Sequence, residues 1–207
     1  MKFGRFQHQN RIFYGLVDGD QVSELEGSPF DSYSHTTSLY ALSALKILTP
    51  CEPRNFYCAG LNYAAHIEWA AKRKGLSVKM PEKADVGYRS ANALAATGEA
   101  IVIPADASDM VQFEGELVAV VGKTAKNLTV SIRVNGQPAA EYHTSKMLFS
   151  AQHFIARITQ YMTLHPGDVI WLGTDGATEP DLRDGDVVEI EQRSIGILRS
   201  PVVRAKA

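Results

Sequence analysis

Only two cysteines, Cys51 and Cys58, occur in the 207 residues. They are too few for a disulfide framework, and the six-residue gap between them does not match zinc-knuckle spacing. Long apolar runs are also missing. Residues 117–121 and 169–172 have strand lengths, far below the roughly 20 residues of a membrane-spanning helix. The first residues, MKFGRFQHQNRIF, hold no apolar h-region of a secretory signal. Nor is there an excess of one charge: Lys+Arg 21 against Asp+Glu 23 leaves a formal −2, with no basic run to meet a phosphate backbone. These absences predict a reduced, cytoplasmic protein with neither a membrane nor a nucleic-acid partner.

What is present is an ordinary globular composition. Hydrophobic residues make up 45%, and 16 glycines and 9 prolines are too few for a collagen-like or disordered chain. The length supports one well-formed core and rather little for two.

Residues 1–50 read as a small N-terminal module, with a strand at 11–17, a turn at Asp18-Gly19-Asp20 and a return strand at 21–25. The apolar stretch 39–48, closed by Pro50, predicts a short helix. Residues 55–61 read as a core strand, after which Asn62 is placed to cap a helix that runs to Lys74 and stops at Gly75. Residues 80–98 carry no clean period and read as loop. Strand patterns follow at 100–103, 114–121, 130–134, 169–172 and 187–191, with Asn135-Gly136 as a strong turn pair. One helix interrupts them, capped by Ser150, with Ala151, Phe154, Ile155, Ile158 and Met162 on one stripe. The sum is a mainly β domain over residues 51–207 with peripheral helices. No sustained strand–helix alternation suggests a doubly wound sheet or a barrel of that kind.

The sharpest chemical feature is Phe113-Glu114-Gly115-Glu116-Leu117. In a strand the two glutamates share a face, and Gly115 leaves the opposite side open for close packing. Paired carboxylates at the rim of an apolar strand repel each other and lose solvation, which a bridging cation relieves. Oxygen ligands suit Mg²⁺ or Ca²⁺ better than zinc. An exposed strand end with two solvated glutamates satisfies the same spacing. Further upstream, His66 near a helix start is a candidate base if a carboxylate orients its other nitrogen. Glu68, two positions on, does not share its helical face, so that pair requires irregular backbone.

Taken in order, GLNYAAH, QFEGELVAVVGK, RVNG, YHTSKMLFS, MTLHPGDVIWLGT and LRDGDVVEIEQRSIGILRSPVV resemble the fumarylacetoacetate hydrolase family from about Phe56 to Val203. The resemblance implies a mixed β-sandwich roll, a homodimer, and Mg²⁺ (Mn²⁺ or Ca²⁺ as alternatives). It further implies a small oxoacid or 1,3-dicarbonyl substrate. The implied reaction is metal-dependent cleavage of an acylpyruvate-type carbon–carbon bond, with decarboxylation, isomerisation or hydration as alternatives on the same fold. By the same resemblance Glu114 and Glu116 are the metal pair, and His66 with Glu68 activates water. Thr174 stands beside the substrate carboxylate, while Lys146, Met147 and Phe149 give structural support. Arg89 and Asn92 are candidates for the pocket mouth.

The chain departs from the family pattern in two places. The family's glutamate partner lies three residues after the histidine, a position held here by Trp69. A stretch of roughly fifty family positions, carrying the third carboxylate ligand and a lysine, is absent between Thr129 and Val130, so the catalytic domain is internally incomplete as written. Asp106 and Asp109 read as loop residues, Asp168 as part of a Pro-Gly-Asp turn, and Lys123 and Lys126 as surface lysines; none is a substitute. A true deletion of this stretch leaves a non-catalytic remnant as a further alternative.

Overall fold

The computed structural model describes residues 2–120, 128–176 and 179–206. Strands dominate. The first sheet is an antiparallel meander of β1 (Lys2–His8), β2 (Arg11–Asp18), β3 (Gln21–Gly27) and β4 (Tyr33–Ala41), with β5 (Lys46–Ile47) on the free side of β1. Its own small core joins Phe6, Phe13, Val22 and Leu45. The helix expected over 39–48 is not formed. Leu39 and Tyr40 belong to β4 and pair with Ser23 and Val22, and a short 3₁₀ turn at Leu42–Ala44 leads to β5. An apolar run of ten residues is ambiguous by itself, and strand pairing with β3 outweighs its local helical preference.

The four-stranded sheet positions the site. It has the order β7-β6-β12-β9, from β6 (Phe56–Ala59), β7 (Val86–Tyr88), β9 (Val118–Val120) and β12 (Val169–Trp171). Strand β12 runs parallel to β6 and antiparallel to β9. Helix α1 (Ala64–Lys74) leaves β6 and ends at Gly75, whose φ of 65° is the left-handed cap conformation. Three basic residues, Lys72, Arg73 and Lys74, fill its last turn, where the helix dipole favours them. Helix α2 (Ala151–Ile158), with Ser150 at its N-cap, lays Phe154 and Ile158 against Tyr57, Ile170 and Leu172. Phe56, Val169, Val118, Val120 and Trp171 pack on the other side of the sheet.

The third sheet has the order β11-β10-β13-β14-β8, from β8 (Ile101–Ile103), β10 (Thr129–Val134), β11 (Gln137–His143), β13 (Val187–Gln192) and β14 (Gly196–Arg204). Asn135 and Gly136, both at positive φ, turn β10 into β11 as that residue pair requires. The largest core fills this sheet's inner face with Val130, Ile132, Tyr142, Val188 and Val202.

The result is a mainly β protein with two peripheral helices, in the mixed sandwich-roll class that the sequence resemblance implied. Among the described residues no helix is long and apolar enough to cross a membrane.

Two local expectations need correction. Residues 80–98 are not wholly irregular, since β7 and a 3₁₀ turn at Ala91–Ala93 lie within them. Regular pairing on the metal-pair strand starts only at Val118, so Glu114 and Glu116 sit on the unpaired chain leading into β9. Thr129 and Val130, which flank the absent family positions, are consecutive residues of β10 and pair with His143 and Tyr142. Lys123 and Lys126 lie outside the described residues.

Candidate active site

The residues around Glu116 bridge two sheets. Phe113 packs into the core of the β11-β10-β13-β14-β8 sheet, and four residues after Phe113 the chain reaches Leu117, just before β9 in the four-stranded one. Gly115 makes this crossing possible. A Cβ there would stand 2.4 Å from Ile132 Cδ1, and the Gly115 carbonyl accepts the Tyr142 hydroxyl at 2.7 Å. A side chain at 115 would force either Ile132 or the backbone that carries the carboxylate pair to shift.

Glu114 and Glu116 therefore face different surroundings. Glu114 is 47% exposed, whereas Glu116 is largely buried and its Oε2 accepts the Gly173 N–H at 2.5 Å. Burial pushes the Glu116 carboxyl up to about 7; the Gly173 N–H opposes this, the charge of Glu114 adds to it, and the Arg89 guanidinium opposes it. The two acids are close enough to repel, and the half-exposed one stays in reach of solvent. Gly173 (φ 87°) is held over Asn62, since a Cβ on it would meet Asn62 Cβ at 3.1 Å.

Asn62 is not the cap of α1, whose N-cap is Tyr63. Its amide instead ties two loops together, donating to the carbonyls of Leu172 (2.7 Å) and Phe149 (3.0 Å) while its Oδ1 accepts the Phe149 N–H (2.8 Å). A buried amide with three protein partners is structural. The same junction explains the YHTSKMLFS segment, where Met147 bridges to Tyr63 and Leu148 N–H donates to the Asn62 carbonyl.

His66 lies in the first turn of α1, with its side chain 14% exposed. Its Nδ1 stands 2.9 Å from the Gly176 carbonyl, and Nε2 stands 3.7 Å from Glu114 Oε1. A carbonyl can only accept, so Nδ1 carries a proton and donates, which leaves the Nε2 lone pair of the neutral ring facing Glu114. Glu68 is exposed and makes no hydrogen bond to the ring among the described residues. Trp69, three residues on and on the same helical face, stacks on His66 at 5.6 Å. The carboxylate nearest the imidazole is thus Glu114, and the group orienting it is a backbone carbonyl.

Thr174 and Asp175 are both buried beside Gly173. Lys146 Nζ lies 3.9 Å from Asp175 Oδ2, but that lysine is 67% exposed and screened by solvent. Asp175 Oδ1 and the Tyr63 hydroxyl, both buried, have no hydrogen-bond partner among the protein groups described. Burial, then the charges of Asp175 and Glu116, raise the Tyr63 phenol far above its ordinary range, so the two acids and the hydroxyl share one buried region. Sequence reading missed Asp175 and Tyr63. An acid between Thr174 and Gly176, in the turn that follows a core strand, was the available signal. Asn92 accepts only a local hydrogen bond from Ser90, and Asp109 is a surface acid 3.9 Å from Arg204.

Oxygen donors of this kind suit a hard divalent cation. Two carboxylates in repulsion and two buried oxygens lacking protein partners fit one, although no three Asp, Glu, His or Cys side chains converge on one point among the described residues.

A family model described as "Fumarylacetoacetate (FAA) hydrolase C-terminal" matches residues 55–131 and 123–203, and one described as "Rv2993c-like, N-terminal" matches residues 1–50. An uncharacterized protein of Archaeoglobus fulgidus is 26% identical over 258 positions, covering 97% of this chain and 96% of its own. The chain has 207 residues, so at least 258 − 207 = 51 of those positions face no residue of it. The two partial matches overlap at 123–131, which places the discontinuity there. Among solved structures, a 5-carboxymethyl-2-hydroxymuconate delta-isomerase from Mycobacterium smegmatis superposes with a TM-score of 0.85 at 24% identity, covering 99% of this chain and 100% of that one. A 2-keto-3-deoxy-D-arabinonate dehydratase complexed with magnesium and 2,5-dioxopentanoate superposes at 0.75 and 16% identity, covering 100% of this chain and 100% of that one.

Proposed function

Because the chain belongs to the fumarylacetoacetate hydrolase family, a superfamily of oxoacid-handling enzymes, we propose that it moves a proton on a small 2-oxoacid, as an isomerase or tautomerase. The observation that carries this reading is the environment of His66. Its Nδ1 is held by the Gly176 carbonyl and not by a carboxylate, and Glu68 is turned to solvent. A water-activating base that must bear full positive charge gains most from an ionised partner at the second nitrogen. A proton shuttle forms the same imidazolium, but holds it only while the enolate made by the same transfer lies beside it. The isomerase of the same fold supports this choice over carbon–carbon hydrolysis, the reaction the sequence resemblance put first.

Glu114 and Glu116 would hold a divalent cation, with Mg²⁺ preferred, as the magnesium-bound dehydratase of this fold supports. When bound, the cation supplies Lewis acidity to the substrate's carbonyl oxygen. His66 Nε2 takes the proton from the carbon beside that carbonyl. The imidazolium so formed is steadied by Glu114 at 3.7 Å and by its Nδ1–H bond to Gly176. The same ring returns the proton to the neighbouring position. Thr174 would donate to the substrate carboxylate, and the positive charge of Arg89, felt at Glu116, would attract an anionic substrate. A homodimer of two 51–207 domains, each carrying its 1–50 module, is the assembly we attach to this reading.

The test is solvent deuterium uptake at the carbon next to the carbonyl of oxaloacetate and of an acylpyruvate, followed by NMR with Mg²⁺. Exchange should run faster than cleavage, and His66→Ala should slow it by about 10²–10⁴-fold. Cleavage without exchange would restore the hydrolase reading. Neither exchange nor cleavage would mark the chain as a non-catalytic member lacking some fifty family positions.

A further inference from the structure

Asp175 is 6% exposed, and its Oδ1 has no donor among the described protein groups. Among the described residues the only cation beside it is Lys146, at 3.9 Å from the other oxygen and mostly in solvent, which gives Oδ1 no compensation. A buried carboxylate oxygen in that condition costs free energy, and native structures rarely retain one without an ion or water to satisfy it. Tyr63, 1% exposed, presents a second oxygen in the same state. Asp175 and Glu116 both act on the Tyr63 hydroxyl, and both adjoin the Leu172–Asp175 turn: Glu116 through the Gly173 N–H, Asp175 as part of it. Three protein ligands do not converge on one point among the described residues. Mg²⁺ dehydrates reluctantly and presents its waters as strong donors, so a carboxylate outside its direct ligands can still serve it.

We infer that Asp175 is a cation-binding residue of this site, its Oδ1 accepting a hydrogen bond from the hydration shell of a divalent ion held by Glu114 and Glu116. The inference rests on the metal reading of that glutamate pair. It assigns a role to a residue that is neither a predicted ligand nor part of the proton shuttle.

Calorimetric titration with Mn²⁺ alone, paired with thermal unfolding with and without Mg²⁺, separates the possibilities. The full chain should bind Mn²⁺, and Glu116→Gln should abolish binding. Asp175→Asn should weaken it by about 10–100-fold. The same variant should leave the metal-free unfolding temperature unchanged or higher, since it removes a buried carboxylate, while losing most of the stabilisation Mg²⁺ gives the parent. Asp175→Ser, which brings no charge into the same space, repeats the measurement if the amide does not fold. Unaltered Mn²⁺ affinity in the Asp175 variants, with Glu116→Gln inactive in binding, would overturn the inference and leave the glutamate site standing. An equal loss of stability with and without Mg²⁺ would make Asp175 a structural acid and overturn it too. Absence of Mn²⁺ binding by the parent chain would remove the metal reading and the inference together.

Discussion

Strand β12 has a buried aspartate before it and another after it, and the two have opposite surroundings. Asp168, 1% exposed, accepts the His165 N–H, the Asn55 N–H and the Asn55 side-chain amide at 2.9–3.2 Å. Every donor comes from the protein, and the acid fastens the turn before β12 to the start of β6. Asp175 is nearly as buried, yet one of its oxygens has no donor and the other has only a distant, solvated lysine. Residue type and burial are the same at both ends. The set of partners decides that one is a structural clamp and the other is available for chemistry.

The largest effect should come from breaking the clamp. Asp168→Ala strands two backbone donors and one side-chain amide in a buried place, at a cost of about 3 kcal/mol. For a chain of this size that is a fall of about 10 °C in Tm. Thermal unfolding measures it, with Mn²⁺ affinity per folded molecule unchanged. A loss under about 1 kcal/mol would put Asp168 in the same class as Asp175 and erase the contrast.

A comparable effect is expected from Glu116, through pH. Its carboxyl titrates near 4.5 in the unfolded chain and is pushed up to about 7 when folded. Between those values the folded state binds the extra proton, so raising pH favours unfolding. The contribution is fully present below about 4.5 and has gone by about 7, amounting to about 3 kcal/mol. Urea unfolding across that window, in a chelator, should show the decline, and Glu116→Gln should flatten it. An identical slope in the variant would mean that Glu116 is not the buried acid described. The smallest effect belongs to Glu68, an exposed acid with neither kind of partner among the described residues. Glu68→Ala should alter stability by under about 0.5 kcal/mol and leave deuterium exchange unchanged; a tenfold slower exchange would reinstate it as the partner of His66.

Local patterns carried much of the fold. The Asn135-Gly136 hairpin, the Gly75 stop, the amphipathic stripe of α2 and the strands at β6, β10, β12 and β13 follow from short-range spacing, because each depends on backbone preferences within a few residues. Residues 39–48 were misleading because an apolar run does not say whether its partner is the next turn of helix or an earlier strand, here Val22 and Ser23 of β3. The glutamate pair was visible at Glu114 and Glu116, whereas their unequal burial was not, since it arises from Gly173, Arg89 and the contact of Gly115 with Ile132.

Asn62 shows the same limit. Its type and place suited a helix cap, but carbonyls 87 and 110 residues away captured its amide.

The sequence by itself determined the family, the predominance of strands, and which acids and imidazole could take part in chemistry, because these depend on residue identity and order. Only the tertiary structure decided which donor each of those groups meets. Hydrogen-bond partners and desolvation come from segments far apart in the chain, and they make Asp168 a fastening, aim His66 Nε2 at Glu114, and leave Asp175 with an unmatched oxygen.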